Sequence, residues 1–283
     1  MPNQVNEVKR IEATLKNFLS RGRISDSSVT LDGMGVNAAY QYAILSLLGY
    51  DRLKSLKCLN VVSSSTFAVL FFIALREGLA AWSPDDLIRW DPKNRRMHKI
   101  IPLLTIAKFL LAKCFRRSIS LDCIGFSKAL QMIVKQDFFL KTVNDLPPNL
   151  TFFLYNIDDK KIETIKPGCH HLGAMKVGEL IQAAPSVPGI FSPFYYQGKR
   201  YSDPVYCPQA KQMYKALKRE SDNYLISNIY RESITKGSIY LKPHGYRDGR
   251  IPFIKDFLLF MCGLNNPEIF QVAIVGLKGV KMI

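Results

Sequence analysis

Lys57 to Gly78 reads KCLNVVSSSTFAVLFFIALREG, a short apolar run that breaks at three serines and resumes as a longer apolar segment. The pattern predicts a strand, a sharp turn and a helix. The helix, Thr66 to Glu77, carries Phe67, Val69, Leu70, Phe71, Phe72, Ile73 and Leu75 with almost no polar face. A helix apolar all round is buried, which sets it in the centre of a domain against a sheet. At such a turn a hydroxyl can be lifted out of the backbone and aimed at a cleft, as in the nucleophile elbow G-x-S-x-G. With Ser65 in the middle, the five elbow positions are Ser63, Ser64, Ser65, Thr66 and Phe67, and neither flanking position is glycine. Ser65 would stand at the helix N-terminus, where the dipole favours an alkoxide-like oxygen and the next amide can stabilise an oxyanion. Three serines after a buried strand also make an ordinary N-cap cluster, so the flanking chain has to decide.

Upstream, Val29-Thr30-Leu31 reads as the end of a short strand, Asp32-Gly33-Met34-Gly35 as a turn, and Ala38 to Leu48 as an apolar helix closed by Gly49. Two glycines between strand and helix let several amides converge beside a helix N-terminus, a place for a phosphate or an oxyanion. Downstream, a helix ending near Ala184 runs into a loop with Pro185, Pro188, Gly189 and Pro193, then the turn Gln197-Gly198 and Asp203. A carboxylate placed just after a short strand and before Pro204 is rigidly held, which suits a general base; alone it would read as a turn aspartate.

The remaining chain supplies the frame. Val5, Val8, Ile11, Leu15, Phe18 and Leu19 recur at helical spacing, a lead-in helix within residues 1–22. Trp82 to about 140 reads as a helical cap insertion. Its Ile100 to Phe115 segment, bordered by Arg116 and Arg117 and carrying Lys108 and Lys113, fits either an interfacial helix or a buried roof over the core. Phe126 to Leu140 is a second helix of that cap. LTFFLYN, Leu150 to Asn156, reads as a strand with IDDKKIETI as its hairpin partner across Asp158 and Asp159. A basic helix, Ala210 to Lys218, and a strand, Asn223 to Asn228, follow.

With 283 residues, 48% of them apolar, the chain can bury a substantial core, and it reads as one domain over 1–283. A formal net charge of +16 favours anionic partners, either a membrane surface or an acidic protein. No interleaved aromatic and basic motif points to nucleic acid. The six cysteines lack close paired spacings and read as reduced structural thiols, and His170-His171 reads as a surface loop, so neither a metal nor a cofactor is expected. No apolar leader and no run of about 18 apolar residues is evident, which gives a cytoplasmic protein, peripheral at a membrane, with unconventional secretion left open.

Taken together, the three motifs resemble those of the patatin-like phospholipases, lipid acyl hydrolases with a Ser-Asp dyad. That family's D-G-G-G-x-R-G loop corresponds to Asp32-Gly33-Met34-Gly35-Val36-Asn37-Ala38 and its elbow to Ser63 through Phe67. Its A-S-x-x-x-P-x-x-F segment corresponds to Ala183 through Phe191, leading to Asp203-Pro204-Val205. The resemblance implies a three-layer α/β/α fold with a central, mostly parallel sheet. It also implies Ser65 as nucleophile, Asp203 as base, and Gly33, Met34 and Gly35 as the oxyanion hole, with Asn37, Ser64, Thr66, Phe67 and Pro204 lining the cleft. The aspartate would take the serine proton without a histidine.

The chain departs from the family at Ser63 and Phe67 for the elbow glycines, at Asn37 for the arginine, and at Pro204 for the glycine after the aspartate. The leading expectation is a hydrolase of lipid-like acyl esters, its acyl pocket drawn from the 100–115 region. The alternatives are an acyltransferase fed by an acidic acyl carrier protein, and a catalytically dead module binding lipid or protein.

Overall fold

The structure, a computed structural model, describes residues 2–32, 38–81, 124–168, 171–188, 191–227 and 239–241. Helix α1 (Pro2–Ser20) buries Ile11, Leu15 and Phe18 and leads into β1 (Ser27–Leu31). Next come α2 (Ala38–Leu48), α3 (Tyr50–Ser55), β2 (Cys58–Val61) and α4 (Ser65–Arg76). After residues 82–123, which lie outside the description, α5 (Ile124–Ile133) and α6 (Gln136–Leu140) precede β3 (Leu150–Asn156) and β4 (Lys161–Ile165). Helix α7 (Val177–Ala183), β5 (Phe194–Tyr196), β6 (Lys199–Ser202), α8 (Ala210–Arg219), β7 (Asn223–Ser227) and β8 (Ile239–Leu241) complete the described chain.

Strands β3, β2, β1, β7 and β8 are neighbours in that order and all parallel, while β4 and β6 pair antiparallel with β3, and β5 with β6. The expected mostly parallel α/β sheet is therefore present, with an antiparallel flank. Residues facing each other across parallel strands project to the same side of a sheet. The rows Val29–Leu59–Leu150 and Leu31–Val61–Phe152 thus share one face, and all six side chains are buried in the main core with α2, α4 and α7. The alternate rows are polar: Ser28 faces Cys58, and Thr30 faces Asn60, which faces Thr151. There Thr30 bonds the Tyr224 hydroxyl and accepts from Asn60 Nδ2 at 3.2 Å, and Cys58 Sγ lies 3.1 Å from Thr151 Oγ1. Helix α8 covers this second face, packing Met213, Tyr214 and Leu217 against Val62, Phe153 and Ile226. With helices on both faces the arrangement is compatible with three α/β/α layers.

One topological detail creates the site. On β3, Phe152 pairs with both Ile165 and Val61, and Tyr155 pairs with both Ile162 and Ser202. A strand has two edges, so β4 occupies one of them and β2 and β6 share the other. Running in opposite directions along that edge, β2 and β6 meet end to end between Phe152 and Tyr155. The residues that leave the two strands there, Val62-Ser63 and Asp203, are brought together from distant parts of the chain.

The single helix expected over Phe126 to Leu140 is two helices. It stops at Ile133 because Val134 forms an antiparallel bridge with Ala80, held by Ala81 N–H to the Ile133 carbonyl at 2.8 Å and Lys135 N–H to the Leu79 carbonyl at 2.7 Å. Ile100 to Phe115, Asn228 and the C-terminal region of residues 247–283 lie outside the described residues. Among the described residues no helix is long and apolar enough to cross a membrane.

Candidate active site

Where β2 ends, the chain departs from ordinary backbone. Ser63 has φ of 57°, the left-handed region that non-glycine residues rarely enter. Ser65 N–H then bonds the Val62 carbonyl, and Thr66 N–H the Ser63 carbonyl at 3.1 Å, so the turn feeds straight into α4. The apex of this strand-turn-helix unit is Ser63. Ser64 follows as the N-cap with helical backbone angles, and Ser65 is already the first residue of α4.

The serine that meets the carboxylate is not the one expected from the sequence. The Ser63 hydroxyl donates to Oδ2 of Asp203. Ser65, read from the sequence as the nucleophile, donates its hydroxyl to the main-chain carbonyl of Asp32 at 2.5 Å and is fully buried. Centred on the serine that bonds the carboxylate, the five elbow positions become Val61-Val62-Ser63-Ser64-Ser65. The second glycine position falls on Ser65, a residue small enough for the helix to close on the end of β1. Phe67, which stood there in the expected register, is partly buried and packs against the main core. Moving the frame back two residues puts the small Ser65 in place of Phe67 at the second glycine position, and the buried Val61 at the first.

Asp203 is fully buried at the end of β6. Its Oδ1 accepts from Val205 N–H at 2.9 Å, its Oδ2 from Ser63, and its own N–H bonds the Ser186 carbonyl at 3.0 Å. Burial pushes the carboxyl up to about 7, and the hydrogen bonds from Ser63 and Val205 restrain that rise. The proline after it fits this role. Pro204 opens a short 3-10 helix, where its missing N–H would have had no partner in any case, and the amide that binds the carboxylate belongs to Val205.

Asp32, at the end of β1, is a second buried polar node. Its N–H bonds the Ser227 carbonyl at 3.0 Å, its carbonyl also accepts from Gln41 Nε2 at 3.1 Å, and its Oδ1 accepts from the Tyr214 hydroxyl. Ser65, Gln41 and Tyr214 thus fix the residue from which the 33–37 segment departs. Gly33, Met34, Gly35 and Asn37, expected as oxyanion hole and cleft, lie outside the described residues.

The other expected cleft residues divide. Ser64 Oγ and Thr66 Oγ1 are buried with no hydrogen-bond partner among the described residues, Ser64 within the turn and Thr66 just after it. Pro204 is buried beside Asp203. Among the described residues no three His, Cys, Asp or Glu side chains gather as a metal site.

A hydroxyl at a left-handed turn, a buried carboxylate whose proton affinity burial has raised and a helix N-terminus thus stand at one point, the parts that a Ser-Asp nucleophilic pair would need. No family model and no characterised protein matches the chain.

Proposed function

We propose that this protein is a serine acyl hydrolase of the patatin-like kind, with Ser63 as nucleophile and Asp203 as its base. The observation that carries the reading is the hydrogen bond from the Ser63 hydroxyl to the buried Asp203 carboxylate, made by the residue at the left-handed apex of the turn. A structural N-cap serine needs neither a positive φ nor a remote carboxylate.

In the reaction, Ser63 Oγ attacks the ester carbonyl while its proton passes to Asp203. The tetrahedral oxyanion is met by the Ser64 amide, the first after the nucleophile, at the start of α4, whose N-terminal partial charge favours an anion. Collapse breaks the bond to the alcohol, which leaves with the proton from Asp203, and the acyl group stays on Ser63. Water then gives a proton to Asp203 and attacks the acyl carbonyl, releasing the free acid and regenerating Ser63. The resemblance of the three ordered motifs supports a lipid-like acyl ester as substrate.

The test is hydrolysis of a chromogenic ester series of increasing acyl length by purified protein. Ser63→Ala and Asp203→Asn should each lower kcat/KM by about 10³-fold or more while Ser65→Ala retains turnover. Equal turnover by Ser63→Ala and the unaltered chain contradicts the proposal.

A further inference from the structure

We infer that the outer face of α8 is a docking surface for an anionic lipid bilayer. Over Ala210–Arg219 the helix carries no acidic side chain, while Lys211, Lys215 and Arg219 are exposed and recur every four residues, which aligns them along one side. None of these three makes an ion pair among the described residues, unlike Lys199 and Arg200 in the β5–β6 hairpin, which are held by Asp159 and Asp158. The stripe is strongest toward the start of α8. There the Gln209 side chain donates to the Lys160 carbonyl at 3.1 Å and brings the exposed Lys160 turn against the helix. At the far end Glu220 and Asp222 are exposed, and Lys57 Nζ bonds the Glu220 carbonyl.

The inner face of the same helix decides between possible occupants. Met213, Tyr214 and Leu217 pack with Val62, the residue before Ser63, and with Val205, whose amide holds Asp203. Whatever rests on the outer face therefore lies one helix thickness from the dyad. A bilayer supplies both the negative charge and, resting on the ester-hydrolase reading above, the ester itself. Because α8 gives its apolar side to the core, attachment is electrostatic and does not insert the helix.

The experiment is co-sedimentation of the full chain with vesicles of neutral phosphatidylcholine and of phosphatidylcholine with 30% phosphatidylglycerol, a composition of about −1 charge per three lipids, at low and high salt. The expected result is binding to the anionic vesicles only, weakened by salt as the Debye length contracts from about 10 Å at 0.1 M toward 3 Å at 1 M. With each cation near such a surface contributing roughly fivefold, K211Q/K215Q/R219Q should bind about 100-fold more weakly. K211R/K215R should bind like the unaltered chain, which separates charge from helix stability. Hydrolysis of a soluble short-chain ester should be the same in all three proteins, so failure of the docking surface and failure of the hydrolase reading are read independently. Equal binding to both vesicle types, or binding unchanged in the triple glutamine variant, overturns the proposal. So does capture of an acidic carrier protein by a chain that binds no vesicles.

Discussion

Ser63 donates its hydroxyl hydrogen bond to Asp203, a partner 140 residues further along the chain. The two meet because β2 and β6 occupy successive halves of one edge of β3 and converge head-on, one ending in the elbow and the other in the aspartate. Proximity here is a property of strand register. A two-residue slip of β6 on β3 would move Asp203 by about 7 Å and separate the pair.

The elbow stores strain that can be measured by substitution. Ser63→Gly should be about 1 kcal/mol more stable than Ser63→Ala, because glycine adopts φ near +57° without the Cβ penalty. Chemical denaturation of the two variants checks this, and both should be inactive.

Asp203 sets the pH behaviour. With its carboxyl at about 7 in the folded protein and the ionised form as the proposed base, kcat/KM for a neutral ester should rise with pH through 7 and then level. The stability effect runs the other way. A carboxyl raised from 3.8 to about 7 by burial binds its proton more tightly in the folded state. Its contribution is therefore fully present below pH 3.8 and is lost as pH climbs to about 7. Asp203→Asn should consequently be more stable than the unaltered chain at pH 8, on the order of a few kcal/mol, with the gain shrinking toward pH 4. Thermal melts across that range give the answer.

Ser65 is a structural residue in this account. Ser65→Ala leaves the Asp32 carbonyl to Gln41 and should cost about 1 kcal/mol of stability while Ser63 remains reactive. Urea denaturation alongside an ester assay separates the two effects.

Tyr214→Phe removes the phenol that donates to the buried Asp32 carboxylate while keeping the ring that packs on Val62 and Phe153. The loss should be about 1–3 kcal/mol, the usual cost of taking a donor from a buried acceptor. Equilibrium unfolding of the two proteins measures it.

Much of this molecule could be read from its residues. The short run Val29-Thr30-Leu31 and the continuous apolar run of α4 announced strand and buried helix, and the position of Asp203 just before Pro204 announced a held carboxylate. The register of the elbow could not be read so directly. Ser63, Ser64 and Ser65 offer three identical hydroxyls, and which one occupies the apex depends on where β2 stops pairing with β3, a long-range fact. Ser65 stands inside the helix, and its hydroxyl bonds the Asp32 carbonyl at the end of β1. The break at Val134 was hidden for the same reason: helical periodicity continues through it, and only the Ala80 bridge ends the helix.

The most direct measurement is labelling with a fluorophosphonate, which reacts with activated serines, followed by peptide mapping. The account predicts one modified residue, Ser63, in the unaltered chain and in Ser65→Ala, and none in Ser63→Ala. Modification at Ser65, or a chain that takes no label at pH 8, would contradict it.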